Sequence, residues 1–140
     1  MSECVRVLTT GVFDLLHPGH IDLFYLIKAR WPNCHLTVGV NGDRRTREIK
    51  ERVLFSAEER AGIVGAIAYV DEVVIFETDT PQELIDVVRP DVFVKGGDWV
   101  ADELPEYSLC QRLGVQVLCI GDNDKQYNSS ELKRRLCDTS

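Results

Sequence analysis

Two histidines, three positions apart with Pro-Gly between them, are the residues of this sequence best suited to chemistry. His17 and His20 follow an apolar run at residues 5–8 and precede a stretch whose apolar residues recur at helical spacing. A helix start carries free backbone N–H groups and a partial positive charge, and imidazoles donate hydrogen bonds to phosphoryl oxygens. Gly11 and Gly19 would leave room for a ligand beside the backbone. The junction predicts a phosphate site; the alternative is that the histidines merely cap the helix.

A basic cluster follows the second predicted strand, in a chain that is otherwise acidic. We interpret it as a mobile loop that closes on a triphosphate, and a solvated loop is the alternative. Its members are Arg44, Arg45, Arg47, Lys50 and Arg52.

Glycines and hydroxyls follow two later strands. Paired glycines in Lys95-Gly96-Gly97-Asp98-Trp99 would let a base or ribose lie directly on the backbone, or would only form a turn. Asn128-Ser129-Ser130 opens the last predicted helix, whose N-terminus is a second place for phosphate, with capping by Asn128 as the alternative.

Asp14 lies between the first strand and the two histidines. A carboxylate so close to phosphate is repulsive unless it has another partner. We give equal weight to two roles for Asp14: structural support and a contact with a substrate hydroxyl.

The elements that must position these residues alternate between strands and helices. Such alternation predicts a parallel five-stranded sheet covered by helices on both faces, a Rossmann-like three-layer α/β sandwich whose ligands gather at the carboxyl ends of the strands. Ser56 with Glu59, and Thr80 with Glu83 after Pro81, predict capping boxes. The strands are predicted at 5–8, 36–40, 70–76, 91–94 and 115–120, and the helices at 20–30, 56–68, 80–88, 104–113 (ended by Gly114) and 128–136.

Composition narrows the class of protein. The 140 residues predict a single domain over 1–140, and the net charge of −7 argues against a nucleic-acid partner. Five cysteines without a Cys-x-x-Cys pair predict reduced thiols. Because we see neither a secretory signal nor an apolar run long enough for a bilayer, we expect a cytoplasmic protein with no membrane partner.

The motifs resemble those of the cytidylyltransferase-like nucleotidyltransferases across nearly the whole chain. The resemblance begins with Gly11-Val12-Phe13-Asp14 and His17-x-Gly19-His20. It continues through Val40-Asn41-x-Asp43, residues 50–60, Tyr69-Val70-Asp71-Glu72-Val73 and the segment from Asp91 to Asp98. Val94-Lys95-Gly96-Gly97-Asp98 is most similar to heptose-phosphate adenylyltransferase domains, with glycerol-3-phosphate cytidylyltransferase next.

This resemblance implies a nucleotidyltransferase (HIGH-type) fold and a set of site residues. It implies catalytic roles for His17, His20, Lys50 and Arg60. Of the two roles open to Asp14, we carry the substrate contact forward as the prediction. Mg²⁺ would arrive with the nucleoside triphosphate and need no metal site of the protein's own, and a homodimer is expected. The nucleotide would contact Thr10, Gly11, Val12, Phe13, Gly19, Lys95, Gly97, Asp98, Ser129 and Ser130.

The implied reaction moves a nucleoside monophosphate onto a phosphorylated small molecule and releases pyrophosphate. Asp124-Lys125-Gln126-Tyr127 departs from the Arg-Thr-Glu-Gly common in cytidylyltransferases, which favours ATP over CTP. We expect a sugar 1-phosphate of heptose type as acceptor. The alternatives are a CTP-dependent glycerol-3-phosphate cytidylyltransferase and a nucleotide-binding module without catalysis.

Overall fold

The computed structural model of the chain describes residues 4–50, 52–97, 99–120 and 129–138, and within the last helix it describes the side chains of residues 132–136. The strands are β1 (Arg6–Gly11), β2 (His35–Asn41), β3 (Glu72–Phe76), β4 (Val92–Gly96) and β5 (Gln116–Ile120). The helices are α1 (Pro18–Arg30), α2 (Asp43–Ile49), α3 (Ala57–Gly65), α4 (Gln82–Val88), α5 (Tyr107–Leu113) and α6 (Ser129–Asp138), with a 3₁₀ turn at Ala101–Glu103.

The five strands form one parallel sheet in the order β3-β2-β1-β4-β5. Strands β2 and β3 lie on one side of β1, and β4 and β5 lie on the other side. The strand order therefore reverses between β1 and β4. Ligands of such sheets bind beyond the carboxyl ends of the strands at this reversal. Gly11 ends β1 and Gly96 ends β4, and the crevice therefore opens between these two residues.

Two apolar cores hold helices against the opposite faces of the sheet. Val7 and Leu8, adjacent in β1, belong to different cores because successive strand residues point to opposite faces. Phe24 and Ile27 of α1 pack in the first core with Val64 of α3. In the second core, α4 and α5 contribute Ile85 and Cys110. This arrangement confirms the predicted three-layer α/β sandwich.

Local signals in the sequence correctly marked several helix ends. Ser56 and Glu59 form the predicted capping box at the start of α3, and Gly114 ends α5 in the left-handed conformation with φ +73°. The prediction for α4 is wrong in one detail. Pro81 is the residue before the helix, and the Oγ1 of Thr80 accepts only a 3.4 Å hydrogen bond from the N–H of Gln82.

The predicted loop after β2 is wrong, because residues 43–49 form helix α2. Only Thr46 of this helix is buried, so there is no apolar stripe for the sequence to reveal. Arg44 pairs with Glu48 one turn later and with Asp79, which stabilises the helix from its surface. No helix of the described ranges is long and apolar enough to cross a bilayer.

Candidate active site at the carboxyl ends of β1 and β2

The first turn of α1 is closed by the two histidines, each through its Nδ1 atom. His17 precedes the helix with extended φ −141° and accepts a 3.1 Å hydrogen bond from the N–H of Gly19. In return, the N–H of His17 donates a 3.2 Å hydrogen bond to Nδ1 of His20. The rings stack with centroids 3.8 Å apart. The histidines therefore do cap the helix, each through its Nδ1 atom.

This arrangement fixes the tautomer of each ring in its neutral form. A neutral imidazole whose Nδ1 accepts a hydrogen bond carries its proton on Nε2. Burial, followed by electrostatic interactions with His17 and Lys50, lowers the pKa of His20 from 6.5 to about 3. At neutral pH His20 is an uncharged hydrogen-bond donor, suited to phosphoryl oxygens.

The ring of Phe13 packs against the ring of His20. Phe13 has φ +53°, a conformation that residues with side chains rarely adopt, and its ring meets His20 edge-on at 5.2 Å between centroids. A Cβ on Gly11 would lie 2.9 Å from this ring. The expectation that Gly11 leaves room for a ligand is therefore wrong, because the ring of Phe13 occupies that space.

Asp14 is a structural residue, which corrects the expected substrate contact. Only 2% of the residue is exposed. Its carboxylate accepts hydrogen bonds from the N–H groups of Leu54 and Phe55 and from the ammonium of Lys133. Burial alone would raise the pKa of Asp14, but these hydrogen bonds outweigh it and lower the pKa below the usual 3.8. With its carboxylate buried among protein donors, Asp14 has no surface to offer a substrate hydroxyl.

Arg60 is also internal, which corrects its expected contact with phosphate. Its guanidinium is fully buried. It donates to the carbonyls of Val12 and Asn41 at 2.8 Å, to the carbonyl of Phe55 at 3.0 Å and to Oδ1 of Asp43 at 3.0 Å. Arg60 thus joins the loops that follow β1 and β2 and holds the site together from behind.

The residues of the basic cluster differ in their partners. Arg44 and Arg45 pair with Glu48 on α2. Lys50 follows the end of α2, where its N–H donates to the carbonyl of Thr46, and it lies close enough to His20 to lower the pKa of that ring. The structure therefore brings Lys50, of the predicted catalytic residues, together with His17 and His20.

The predicted residues at the end of β4 lie on the other side of the crevice. Gly97 has φ +114°, which a residue with a side chain would adopt only under strain, and its N–H donates to the carbonyl of Ile120. The ammonium of Lys95 lies 5.7 Å from the ring centroid of Trp99, and Trp99 is 54% exposed. Asp98 lies outside the described residues. Ser129 and Ser130 begin α6, and their side chains are likewise not among those described.

The remaining predicted contacts come from β1 and from the start of α1. Thr10 is partly buried, and its methyl group faces Gly39 of the neighbouring strand. Beside His17, a surface groove of about 390 Å³ is lined by Leu16, His17, Pro18, Ile21 and Asp22. In the described part of the chain, no three His, Cys, Asp or Glu side chains are grouped as a metal site would require.

Sequence reasoning missed two residues that organise this site. Nothing in the sequence marked Lys133 as a residue of the site, since a lysine in a polar helix is ordinarily solvated. Asp43 was part of a motif but had no assigned role; its Oδ1 accepts from the N–H of Ala57 as well as from Arg60.

Comparisons with known proteins agree with this geometry. The cytidylyltransferase-like family model matches residues 8–135. The D-beta-D-heptose 1-phosphate adenylyltransferase of Bordetella bronchiseptica is 43% identical over 117 residues, which are 81% of this chain and 71% of that protein. The bifunctional protein HldE of Syntrophotalea carbinolica is 42% identical over 132 residues, 93% of this chain but 26% of that protein. The chain thus spans about a quarter of the bifunctional relative.

A solved structure shares the fold. The crystal structure of the lipopolysaccharide core biosynthesis protein from Thermoplasma volcanium superposes with a TM-score of 0.72 at 25% identity, over 87% of this chain and all of that one. The family model covers most of the chain, and the likeness in fold agrees with it. This chain belongs to the cytidylyltransferase-like family.

Proposed function

We propose that this chain transfers the adenylyl group of ATP to the phosphate of a heptose-type sugar 1-phosphate and releases pyrophosphate. The observation that carries the proposal is the His17–His20 pair, whose stacked rings lie at a helix N-terminus beside Lys50, with His20 as an uncharged donor. The 43% identity to a protein named as a heptose 1-phosphate adenylyltransferase supports the choice of nucleotide and acceptor.

The reaction requires little covalent chemistry from the protein. An oxygen of the acceptor phosphate attacks the α-phosphorus of ATP, and the bond from that phosphorus to the bridging oxygen of the β-phosphate breaks. Pyrophosphate leaves with the electron pair. Because the acceptor phosphate is already ionised, no general base is needed. Catalysis then consists of alignment and of stabilising negative charge on the α- and β-phosphates, the part we assign to His17, His20 and Lys50.

The groove beside His17 is a suitable place for the acceptor sugar. It adjoins one of the two donors, and Asp22 supplies a carboxylate that can accept hydrogen bonds from sugar hydroxyls. We propose that Mg²⁺ enters bound to the triphosphate, because this ion keeps several waters and needs few protein ligands.

We propose further that the protein acts as a homodimer. Tyr25 and Tyr69 stack at 6.1 Å between ring centroids, and both are more than a third exposed. This aromatic pair supports a contact between copies. Sedimentation velocity tests it, with a dimer expected and a monomer at working concentration contradicting it.

The reaction is tested by measuring pyrophosphate release from ATP, CTP, GTP and UTP with each of several phosphorylated acceptors. These are heptose 1-phosphate, glycerol 3-phosphate, flavin mononucleotide and phosphopantetheine. We expect release with ATP and heptose 1-phosphate that depends on Mg²⁺. Activity confined to CTP and glycerol 3-phosphate would overturn the assignment of both substrates. Nucleotide binding without release from any pair would favour a non-catalytic module.

A further inference from the structure

A buried ion pair connects the last helix to the loop that carries the histidines. The ammonium of Lys133 contacts the carboxylate of Asp14 and donates a 2.9 Å hydrogen bond to the carbonyl of Arg52. Lys133 is 8% exposed and Asp14 is 2% exposed. Charged side chains are seldom buried so deeply, and a buried pair is a poor source of stability because desolvation offsets its attraction. The pair therefore calls for a role in fixing geometry.

Lys133 is the buried attachment of α6 among the side chains that the structure describes. Of the side chains described in this helix, residues 132–136, Lys133 is the buried one, while Arg134, Arg135 and Leu136 are exposed and Leu132 is partly buried. The buried polar contact of the described part of α6 is therefore the one that Lys133 makes. Where the ammonium of Lys133 is bound helps to fix the orientation of the helix.

The position of this attachment links three parts of the site. Lys133 lies about one helical turn after Ser129, where α6 begins. Asp14 lies in the same loop as His17, and its carboxylate also binds the backbone of Leu54 and Phe55, shortly after Lys50. A shift of Lys133 would consequently move the start of α6 relative to both the histidines and Lys50.

We propose that Lys133 is a positioning residue for nucleotidyl transfer, which acts through its buried ion pair with Asp14 by fixing the first turn of α6 against the histidine loop. This inference rests on the proposed function. Lys133 touches no substrate; it determines where the N-terminus of α6 lies when the triphosphate is bound.

The first test compares Lys133→Met with Arg112→Met, which removes an exposed cation from α5. We expect Lys133→Met to raise the KM for MgATP by about tenfold or more, since small displacements of binding groups are costly. The KM of Lys133→Met for the sugar phosphate and the constants of Arg112→Met should stay within about twofold of wild type. A purely structural role would lower the active fraction, and hence kcat, without changing the KM for MgATP.

Two further variants separate positioning from the cost of an unpaired buried charge. Asp14→Asn/Lys133→Met removes both charges, so it should unfold at a higher temperature than Lys133→Met while keeping the raised KM. Lys133→Arg keeps a cation and should recover part of the affinity for MgATP. A double variant with the wild-type KM would overturn the proposal.

Hydrogen exchange provides a measurement that does not depend on activity. Backbone amides of α6 should exchange faster in Lys133→Met and in the double variant than in wild type, while those of β1 and β4 stay protected. Unchanged protection of α6 would overturn the proposal. If the wild-type protein releases pyrophosphate from no substrate pair, the proposed function fails, and the exchange of α6 still decides whether Lys133 holds the helix.

Discussion

The N–H of His17 donates a hydrogen bond to Nδ1 of His20, whose ring stacks on that of His17 at 3.8 Å between centroids. A doubly protonated His20 could not accept this bond, so the folded chain favours the neutral ring. This agrees with the lowering of the pKa of His20 to about 3, chiefly by burial. The capping of the helix and the charge state of the site therefore have one structural cause.

Stability should depend on the charge of His20 at mildly acidic pH. Between the ordinary pKa of 6.5 and the folded value of about 3, the unfolded chain binds a proton that the folded chain does not. The free energy of unfolding should thus fall with decreasing pH in this window, by up to about 1.4 kcal/mol per pH unit from this residue. Urea denaturation across the window should show a shallower decline for His20→Asn than for wild type.

A control variant and the pKa of Asp14 separate the contribution of His20 from those of other titrating groups. His35→Asn changes an exposed histidine and should retain the contribution of His20. The pKa of Asp14 is lowered from 3.8, so its stabilising contribution is present above that pH and is lost only as the pH falls below it. Equal pH dependence in wild type and His20→Asn would contradict the neutral ring.

Removing either imidazole should abolish most of the turnover. His17→Ala and His20→Ala each delete an Nε2–H donor to the phosphates, and loss of one such donor reduces kcat by about 10² to 10³-fold. Loss of the helix cap costs only about 1 kcal/mol, so circular dichroism should show an intact fold. Pyrophosphate release near the wild-type rate from either variant would exclude the assigned role, and His35→Ala is the matched control.

Replacing Arg60 should affect stability before it affects chemistry. Arg60→Met removes a buried guanidinium that donates to three carbonyls and to the Asp43 carboxylate, which we expect to cost about 3–5 kcal/mol. Arg60→Lys keeps the charge but cannot reach all four acceptors, so it should also be destabilised. If Arg60→Lys were as stable as wild type and only the KM for ATP rose, the contact with phosphate would be reinstated.

A methyl group at Gly11 should disturb His20 through Phe13. The added Cβ would lie 2.9 Å from the Phe13 ring, so Gly11→Ala should displace the ring and destabilise the fold by about 1–3 kcal/mol. Turnover should fall as well, because Phe13 packs against His20. Gly62→Ala is the matched control: nothing lies within 4 Å of its added Cβ, and alanine favours the helix by about 1 kcal/mol. Equal stability of the two variants would show that the Phe13 ring moves freely.

The sequence predicted the features that depend on neighbouring residues. Strands appear as apolar runs, and Ser56 with Glu59 is recognisable at three-residue spacing. Strand alternation with helices was enough to place His17, His20 and Lys50 at one edge of the sheet. Helix α2 was missed because its stability comes from ion pairs such as Arg44 with Glu48, which leave no apolar periodicity.

Features that depend on distant residues were beyond prediction. Whether Asp14 faces a substrate or the interior depends on Leu54, Phe55 and Lys133, which the fold brings to it. Arg60 could equally have faced phosphate, since nothing near it in sequence distinguishes a buried guanidinium from an exposed one. The four acceptors that bury it are contributed by separate segments.

The pairing of Asp14 with Lys133 also bears on the order in which the protein is made. The two residues are 119 positions apart, so the carboxylate is synthesised long before its cation. Until α6 leaves the ribosome, the ammonium of Lys133 cannot reach Asp14. The sheet can assemble earlier from β1 to β5, whereas the histidine loop gains its final contact last. The nascent chain should consequently acquire its fold before its affinity for nucleotide.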